Sequence, residues 1–358
     1  MRSWAVIVSL LIAVIVLVRC VKDVGIADTS LTDVKQGPTP FHLKIPPGFP
    51  DYFLKEENRL TEEGIALGKR LFFDPILSRN ENISCSSCHL QSSSFSDPRV
   101  KSLGTTGEET AFHSMPIFNI AWMNEFFWNG RAKSREAQAL LPVTNPVEMN
   151  MTWPEVEVRL QNHPDYPELF DAAFGTDQID SFLVAQAMVQ YEMTLISSNS
   201  RFDRALRGEI ALTEQEQIGQ IIFNSEQADC FHCHGGVLTT DNSFHNNGLD
   251  DDMHLPLGLM EVTGKEEDLG KFKTPTLRNL IFTAPYMHDG RFQTLGEVVD
   301  FYSEGVHDNR NVDVLMEFAY KGGVEMNAEE KEALIAFLRT MTDASFVEDE
   351  SLVPALDD

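Results

Sequence analysis

Cys85-Ser86-Ser87-Cys88-His89 and Cys230-Phe231-His232-Cys233-His234 decide how this chain is read. They are two complete C-x-x-C-H motifs, and together they use every cysteine after residue 20. Two thiols three positions apart can add to the two vinyl groups of one haem, and the next residue then presents its imidazole to the iron. A four-thiolate zinc site would leave His89 and His234 without a role, and a redox dithiol needs no histidine directly after its second cysteine. The spacing points to two covalently bound c-type haems.

Outward from the motifs, a repeat emerges. Gly68-Lys69-Arg70-Leu71-Phe72 stands thirteen residues before Cys85, and Gly219-Gln220-Ile221-Ile222-Phe223 stands seven residues before Cys230. Both copies place an amphipathic helix just ahead of a cysteine motif, so the chain reads as two related halves about 145 residues apart. Phe182, Ala185, Val189, Met193 and Ile196 follow steps of three and four, the stripe of a core-facing helix, as do Leu334, Ile335, Leu338 and Met341. Thr213 with Glu216, and Asn327 with Glu330, are capping pairs at two helix starts. Period-two alternation is nowhere sustained, so strands should be few and short. The polar stretch Ser197-Ser198-Asn199-Ser200 is the expected boundary between the halves.

The chain has 358 residues, 42% hydrophobic and 23% charged, which suits a globular protein with a sizeable core. Fifty-five acidic against 28 basic residues give a net charge of −27, a field that repels nucleic acid and anionic lipid and steers a basic partner. Arg2 precedes an apolar run over residues 4–18 broken only by Ser9, which has the length of a secretory signal and is short for a membrane span. Export to the periplasm is expected, with residues 1–20 as the export segment. Either Cys20 is lipidated as in bacterial lipoproteins, although Arg19 is a poor match beside it, or cleavage follows Gly25-Ile26-Ala27, or Cys20 is one apolar residue of an uncleaved anchor. Any membrane contact is expected only through this N-terminal segment. Residues 21–51, with Pro38, Pro40, Pro46, Pro47 and Pro50, read as a tether.

Three further stretches carry a resemblance. Leu67-Gly68-Lys69-Arg70-Leu71-Phe72-Phe73-Asp74-Pro75, Phe127-Trp128-Asn129-Gly130-Arg131-Ala132, and Pro275-Thr276-Leu277-Arg278-Asn279 through Thr283-Ala284-Pro285-Tyr286-Met287-His288-Asp289-Gly290 resemble, in order over about residues 59–342, the bacterial di-haem cytochrome c peroxidase family, and its MauG-like subgroup in particular. The resemblance implies a mostly α protein of two cytochrome c-like domains, roughly 52–197 and 198–345, each with one covalently bound haem, ahead of an acidic tail at 346–358. It implies that the haem on Cys85, Cys88 and His89 is the peroxidatic one. The haem on Cys230, Cys233 and His234 would receive electrons from a small donor protein, a cytochrome c or a cupredoxin. Trp128 matches the tryptophan between the haems, and Gln138, Pro142 and Glu148 match the distal pocket. The chemistry wants such a glutamate, because breaking an O–O bond heterolytically needs a group that takes a proton from one oxygen and returns one to the other. Read without the resemblance, Glu148 would be an exposed helix-end carboxylate.

The departures from the family pattern are informative. Members that need reductive activation carry a distal histidine where this chain has Thr105 in Ser102-Leu103-Gly104-Thr105-Thr106-Gly107. An iron open without prior reduction is the expectation, with His113 as a substitute ligand only if its loop reaches. On the second haem the family's distal methionine aligns with Tyr302, and tyrosine is what MauG-type enzymes have there; a phenolate favours ferric iron. Tyr302 as a plain core aromatic is the alternative. A calcium ion between the haems would use the carbonyls of Thr283 and Pro285, but His113 stands where the family has an asparagine ligand and is a poor partner for a hard cation. Three readings follow: reduction of hydrogen peroxide to water, MauG-like oxidation of side chains on a partner protein, and plain electron transfer, which the Thr105 position argues against. Whether the chain forms homodimers, as many relatives do, the sequence leaves open.

Overall fold

The computed structural model describes residues 37–52, 54 and 56–355, so the expected export segment and most of the tether lie outside the described residues. In the first half, α1 (Glu62–Phe73) is followed by α2 (Arg135–Thr144), α3 (Trp153–Gln161), α4 (Tyr166–Phe174) and α5 (Ser181–Glu192). The second half contains α6 (Arg201–Leu206), α7 (Glu214–Phe223), α8 (Phe231–His234), α9 (Met260–Thr263), α10 (Leu295–Glu304), α11 (Ala328–Arg339) and α12 (Ala344–Val347). The named strands among the described residues are two residues each, β1 (Phe244–His245) antiparallel to β2 (Phe272–Lys273). Both expected capping boxes form, at the starts of α7 and α11.

The repeat has a packing basis. Gly68 of α1 lies against the Ala187 carbonyl of α5 and beside Tyr191, and Gly219 of α7 lies against the Ala333 carbonyl of α11 and beside Phe337. In each half a helix ahead of the haem motif crosses a later helix at backbone contact, which only a residue without Cβ permits. We expect Gly219→Val to cost about 1–3 kcal/mol by forced displacement of α11. Gly296→Ala, whose Cβ would meet only Thr294 Oγ1 at 3.6 Å, should be near neutral. Thermal unfolding followed by circular dichroism of the haem-loaded protein separates the two.

One pattern differs from expectation. Helix α5 is buried on every side from Val184 to Glu192, whereas Phe182, the first residue of the expected stripe, is 53% exposed. Wrapped by α1 to α4, that part of the helix has no solvent face to make a stripe visible. Three hydrophobic clusters result: two large ones, built on α1 and α2 to α5 and on α6, α7, α10 and α11, and a small one of Leu249, Phe301, Val306 and Ala319.

Between the two large clusters lies a polar junction rather than a loose linker. The Asp343 carboxylate accepts from Ser197 Oγ and the N–H groups of Ser198 and Asn199 at 2.9–3.2 Å. Asn279 Nδ2 donates to Ser94 Oγ and Ser197 Oγ, and its Oδ1 accepts from Asp343 N–H. Arg278 and Asp203 form a two-pronged ion pair at 2.7 and 2.9 Å, with side chains 0% and 2% exposed.

Both ends are more deeply engaged than the sequence suggested. From Pro38 on, the expected tether is fastened: Phe41 N–H donates to Leu60 O, Thr39 bonds Glu63, Trp122 Nε1 donates to Pro50 O, and Phe49 is buried against Trp122. The expected acidic tail is also anchored through residue 352. Phe346 packs between Phe95 and Phe118, Tyr191 donates to Leu352 O, and Lys69 donates to Ser351 O. An aromatic residue and free backbone carbonyls found partners in the first half that composition could not reveal. Among the described residues no helix is long and apolar enough to cross a membrane.

Candidate functional site: two haem cavities

Each motif is folded as a helical turn. Cys85–Ser87 is a 3-10 turn with His89 N–H on Cys85 O at 3.0 Å, and in the second motif His234 N–H reaches Cys230 O at 2.9 Å. Residues i and i+3 share a side of such a turn. Cys85, Cys88 and His89 accordingly line one cavity of about 480 Å³, and Cys230, Cys233 and His234 line a second of about 220 Å³. No disulfide joins the four motif thiols, and burial raises their pKa, to about 12 for Cys230 and Cys233. Among the described residues the one grouping of acidic, histidine or cysteine side chains able to share a metal ion is Glu226, Asp229 and His232, which contains no thiol. No thiolate zinc site is assembled.

The imidazoles are pre-aimed. His89 Nδ1 donates to Phe95 O at 2.9 Å and His234 Nδ1 to Thr239 O at 3.2 Å. Fixing Nδ1 in this way leaves Nε2 for iron and raises its donor strength. Both acceptor residues sit in the left-handed region, Phe95 at φ 56° and Thr239 at φ 51°, where bulky and β-branched residues are uncommon. Burial also lowers both imidazole pKa values, to about 4 for His234, so the rings are neutral and able to bind metal. Thiol pairs, oriented imidazoles and largely apolar walls fit one c-type haem in each cavity.

In the first cavity, Gln138 and Pro142 of α2 and Glu148 in the following turn all line the wall. Burial raises the Glu148 pKa against the opposing pull of Arg131 and Asn145. Arg131 stands 3.9 Å from Glu148 Oε1, and Asn145 Nδ2 donates to the same oxygen at 2.6 Å. Gly104 abuts the Val147 carbonyl, Thr105 N–H donates to Glu148 O at 2.8 Å, and Thr105 Oγ1 turns to Asn82 Oδ1 at 2.7 Å. The loop that could have carried a distal ligand instead braces the Glu148 turn. His113 does not aim a nitrogen at either haem position: Nδ1 is 3.1 Å from Arg99 O and Nε2 is 3.5 Å from Ser96 Oγ.

The second cavity is lined by Tyr302, with Met287, Met316 and Met326 also on its wall. The Tyr302 oxygen accepts from Asn247 Nδ2 at 3.0 Å, and burial pushes the phenol pKa up to about 12. Thr283 and Pro285 border the same cavity. The His113 ring occupies their neighbourhood and makes no hard-oxygen site, so the residues present do not fit calcium.

Trp128 lines both cavities and is 8% exposed. Its Nε1 donates to His113 O at 2.8 Å and its carbonyl accepts from Lys273 N–H at 2.8 Å. The rings of His288 and Phe272 stack beside it, 3.7 Å apart.

Sequence reasoning passed over four cavity residues. Arg131 and Lys273 lie inside or beside quoted motifs without an assigned role, and Asn247 has no local signal. Glu192 is 2% exposed on the first cavity wall, and burial raises its carboxyl pKa to about 8. A lone acid ending the apolar run of α5 was its visible trace.

Comparison with known proteins gives the family of the chain. Residues 62–211 match the family model described as di-haem cytochrome c peroxidase. The methylamine utilization protein MauG of Methylorubrum extorquens is 38% identical over 79% of this chain and 79% of its own length. Cytochrome c551 peroxidase of Nitrosomonas europaea is 35% identical over 77% of this chain and 79% of its own. The crystal structure of a MauG-like protein associated with microbial copper homeostasis superposes with a TM-score of 0.81 at 34% identity, covering 87% of this chain and 98% of that one. With two c-type haem sites in two cytochrome c-like halves, the chain belongs to the di-haem cytochrome c peroxidase family, whose enzymes act on peroxide.

Proposed function

We propose that the protein reduces hydrogen peroxide to water with electrons from a small donor protein, a cytochrome c or a cupredoxin, entering at the His234 haem and passing by way of Trp128 to the His89 haem. The balance is H₂O₂ + 2 H⁺ + 2 e⁻ → 2 H₂O. The observation that carries the reading is Glu148: a half-buried carboxyl whose pKa desolvation raises, beside Arg131, on the wall of the His89 cavity. The haem, when bound, supplies the iron at which peroxide is activated. Glu148 takes the proton of the inner peroxide oxygen and returns it to the outer one as the O–O bond breaks. Gln138, whose amide lines the same wall, holds the peroxide by hydrogen bonds. The Arg131 guanidinium favours the carboxylate form before peroxide binds. The −27 charge suits a donor with a basic docking face. Export to the periplasm, with a lipid on Cys20, belongs to the same reading, since c-type haem is attached outside the bacterial cytoplasm.

Absorption and EPR spectra of the oxidised holoprotein test it, followed by peroxide with and without reduced cytochrome c. A high-spin ferric signal as isolated and donor-consuming turnover are expected. Low-spin signals from both haems, unresponsive to peroxide, would sink the proposal.

Tyr302 on the second cavity wall favours a second reading, MauG-like oxidation of side chains on a partner protein. Its mark is a long-lived oxidised state of both haems when peroxide is added without donor. Rapid decay of that state would exclude it.

A further inference from the structure

Lys273 is a buried cation that forms no ion pair among the described residues. It ends β2 opposite Phe244 of β1, is 3% exposed, and is the one lysine or arginine lining both cavities. Its Nζ reaches only neutral acceptors, Asn242 Oδ1 at 3.0 Å and Asn242 O at 3.4 Å. Glu125 and Asp241 act on it only through space, and burial brings its pKa down to about 8. An ammonium withdrawn from water without an opposite charge is strongly destabilised. The two cavities that Lys273 borders each fit a cofactor bearing two propionate carboxylates. The same residue also holds Trp128 by its backbone N–H.

We propose that Lys273 is the shared counter-ion of the haem propionates where the two cavities meet, binding both haems and Trp128 into one electrostatic unit. Arg131 cannot serve both haems, because it lines the first cavity alone and faces Glu148. Lys273 is thus a positioning residue. A positive charge on a propionate of each haem makes both irons easier to reduce, and ties the acceptance of an electron by one to the field felt by the other. The inference rests on the two bound haems and is independent of the peroxide chemistry, so failure of turnover leaves it standing.

The test uses the full-length holoprotein carrying ¹³C-carboxyl-labelled haem, in wild type, Lys273→Met and Lys273→Arg. Redox titration and redox-difference infrared spectroscopy are the readouts. In Lys273→Met the midpoint potentials of both haems should fall and the labelled carboxylate bands of both should shift, while Lys273→Arg stays near wild type in potential. Unchanged potentials, or a change confined to one haem, would overturn the shared role. Should Lys273→Met fail to load two haems, the infrared comparison of wild type with Lys273→Arg decides. Labelled bands that move between ammonium and guanidinium support the pairing, and identical bands refute it.

Discussion

Glu148→Gln is expected to lower kcat/KM for peroxide by about 10²–10⁴-fold, the range typical of a lost general acid–base group. The substitution keeps shape and the Asn145 contact region but removes the proton acceptor. Its effect should be confined to chemistry, since Glu148 holds the Thr105 loop through its backbone carbonyl rather than its side chain. The pH profile carries a second signature. Burial raises the Glu148 pKa despite Arg131 and Asn145, so wild-type kcat/KM should fall as pH drops through a value above the ordinary glutamate range. That acid limb should vanish in Glu148→Gln. Stopped-flow mixing with peroxide across pH checks both, and an unchanged rate would remove Glu148 from the mechanism.

Breaking the Arg278–Asp203 pair is the second large effect. Both groups are withdrawn from solvent, and Arg278 also donates to Val237 O at 2.6 and 2.8 Å. Removing one partner strands the other, so Asp203→Asn or Arg278→Met should each cost about 3–5 kcal/mol. The double variant should cost less than the two single losses added together. The sign with pH follows from Asp203. Burial raises its pKa, but Arg278 and the Ser200 contacts outweigh this and leave it lowered. The stabilisation is therefore present above the unfolded aspartate pKa and disappears as pH falls through the lower folded value. Denaturant unfolding of the holoprotein at neutral and acid pH measures both, and equal losses at the two pH values would contradict the assignment.

Legibility in the sequence followed the range of the interaction. Cys85, Cys88 and His89, with Cys230, Cys233 and His234, were readable because covalent attachment fixes their spacing within five residues. The Thr213 and Asn327 caps were readable for the same reason, since their partners lie three positions on. Gln138, Trp128, Glu148 and Tyr302 came from family resemblance alone, and the structure puts all four on cavity walls. Lys273 and Asn247 escaped because their importance arises from the walls they share, formed by segments far apart in the chain. Asp203 escaped because nothing near it names Arg278, and Phe182 misled because the buried part of α5 begins only at Val184 and is then buried on every side.

The strap formed by residues 346–352 reaches the first haem site through one aromatic contact. Phe346 packs between Phe95 and Phe118, and the Phe95 carbonyl is the acceptor that fixes His89 Nδ1. The far end of the described chain thereby backs the residue that aims the first imidazole, so the direction in which His89 points depends on a segment more than 250 positions away from it.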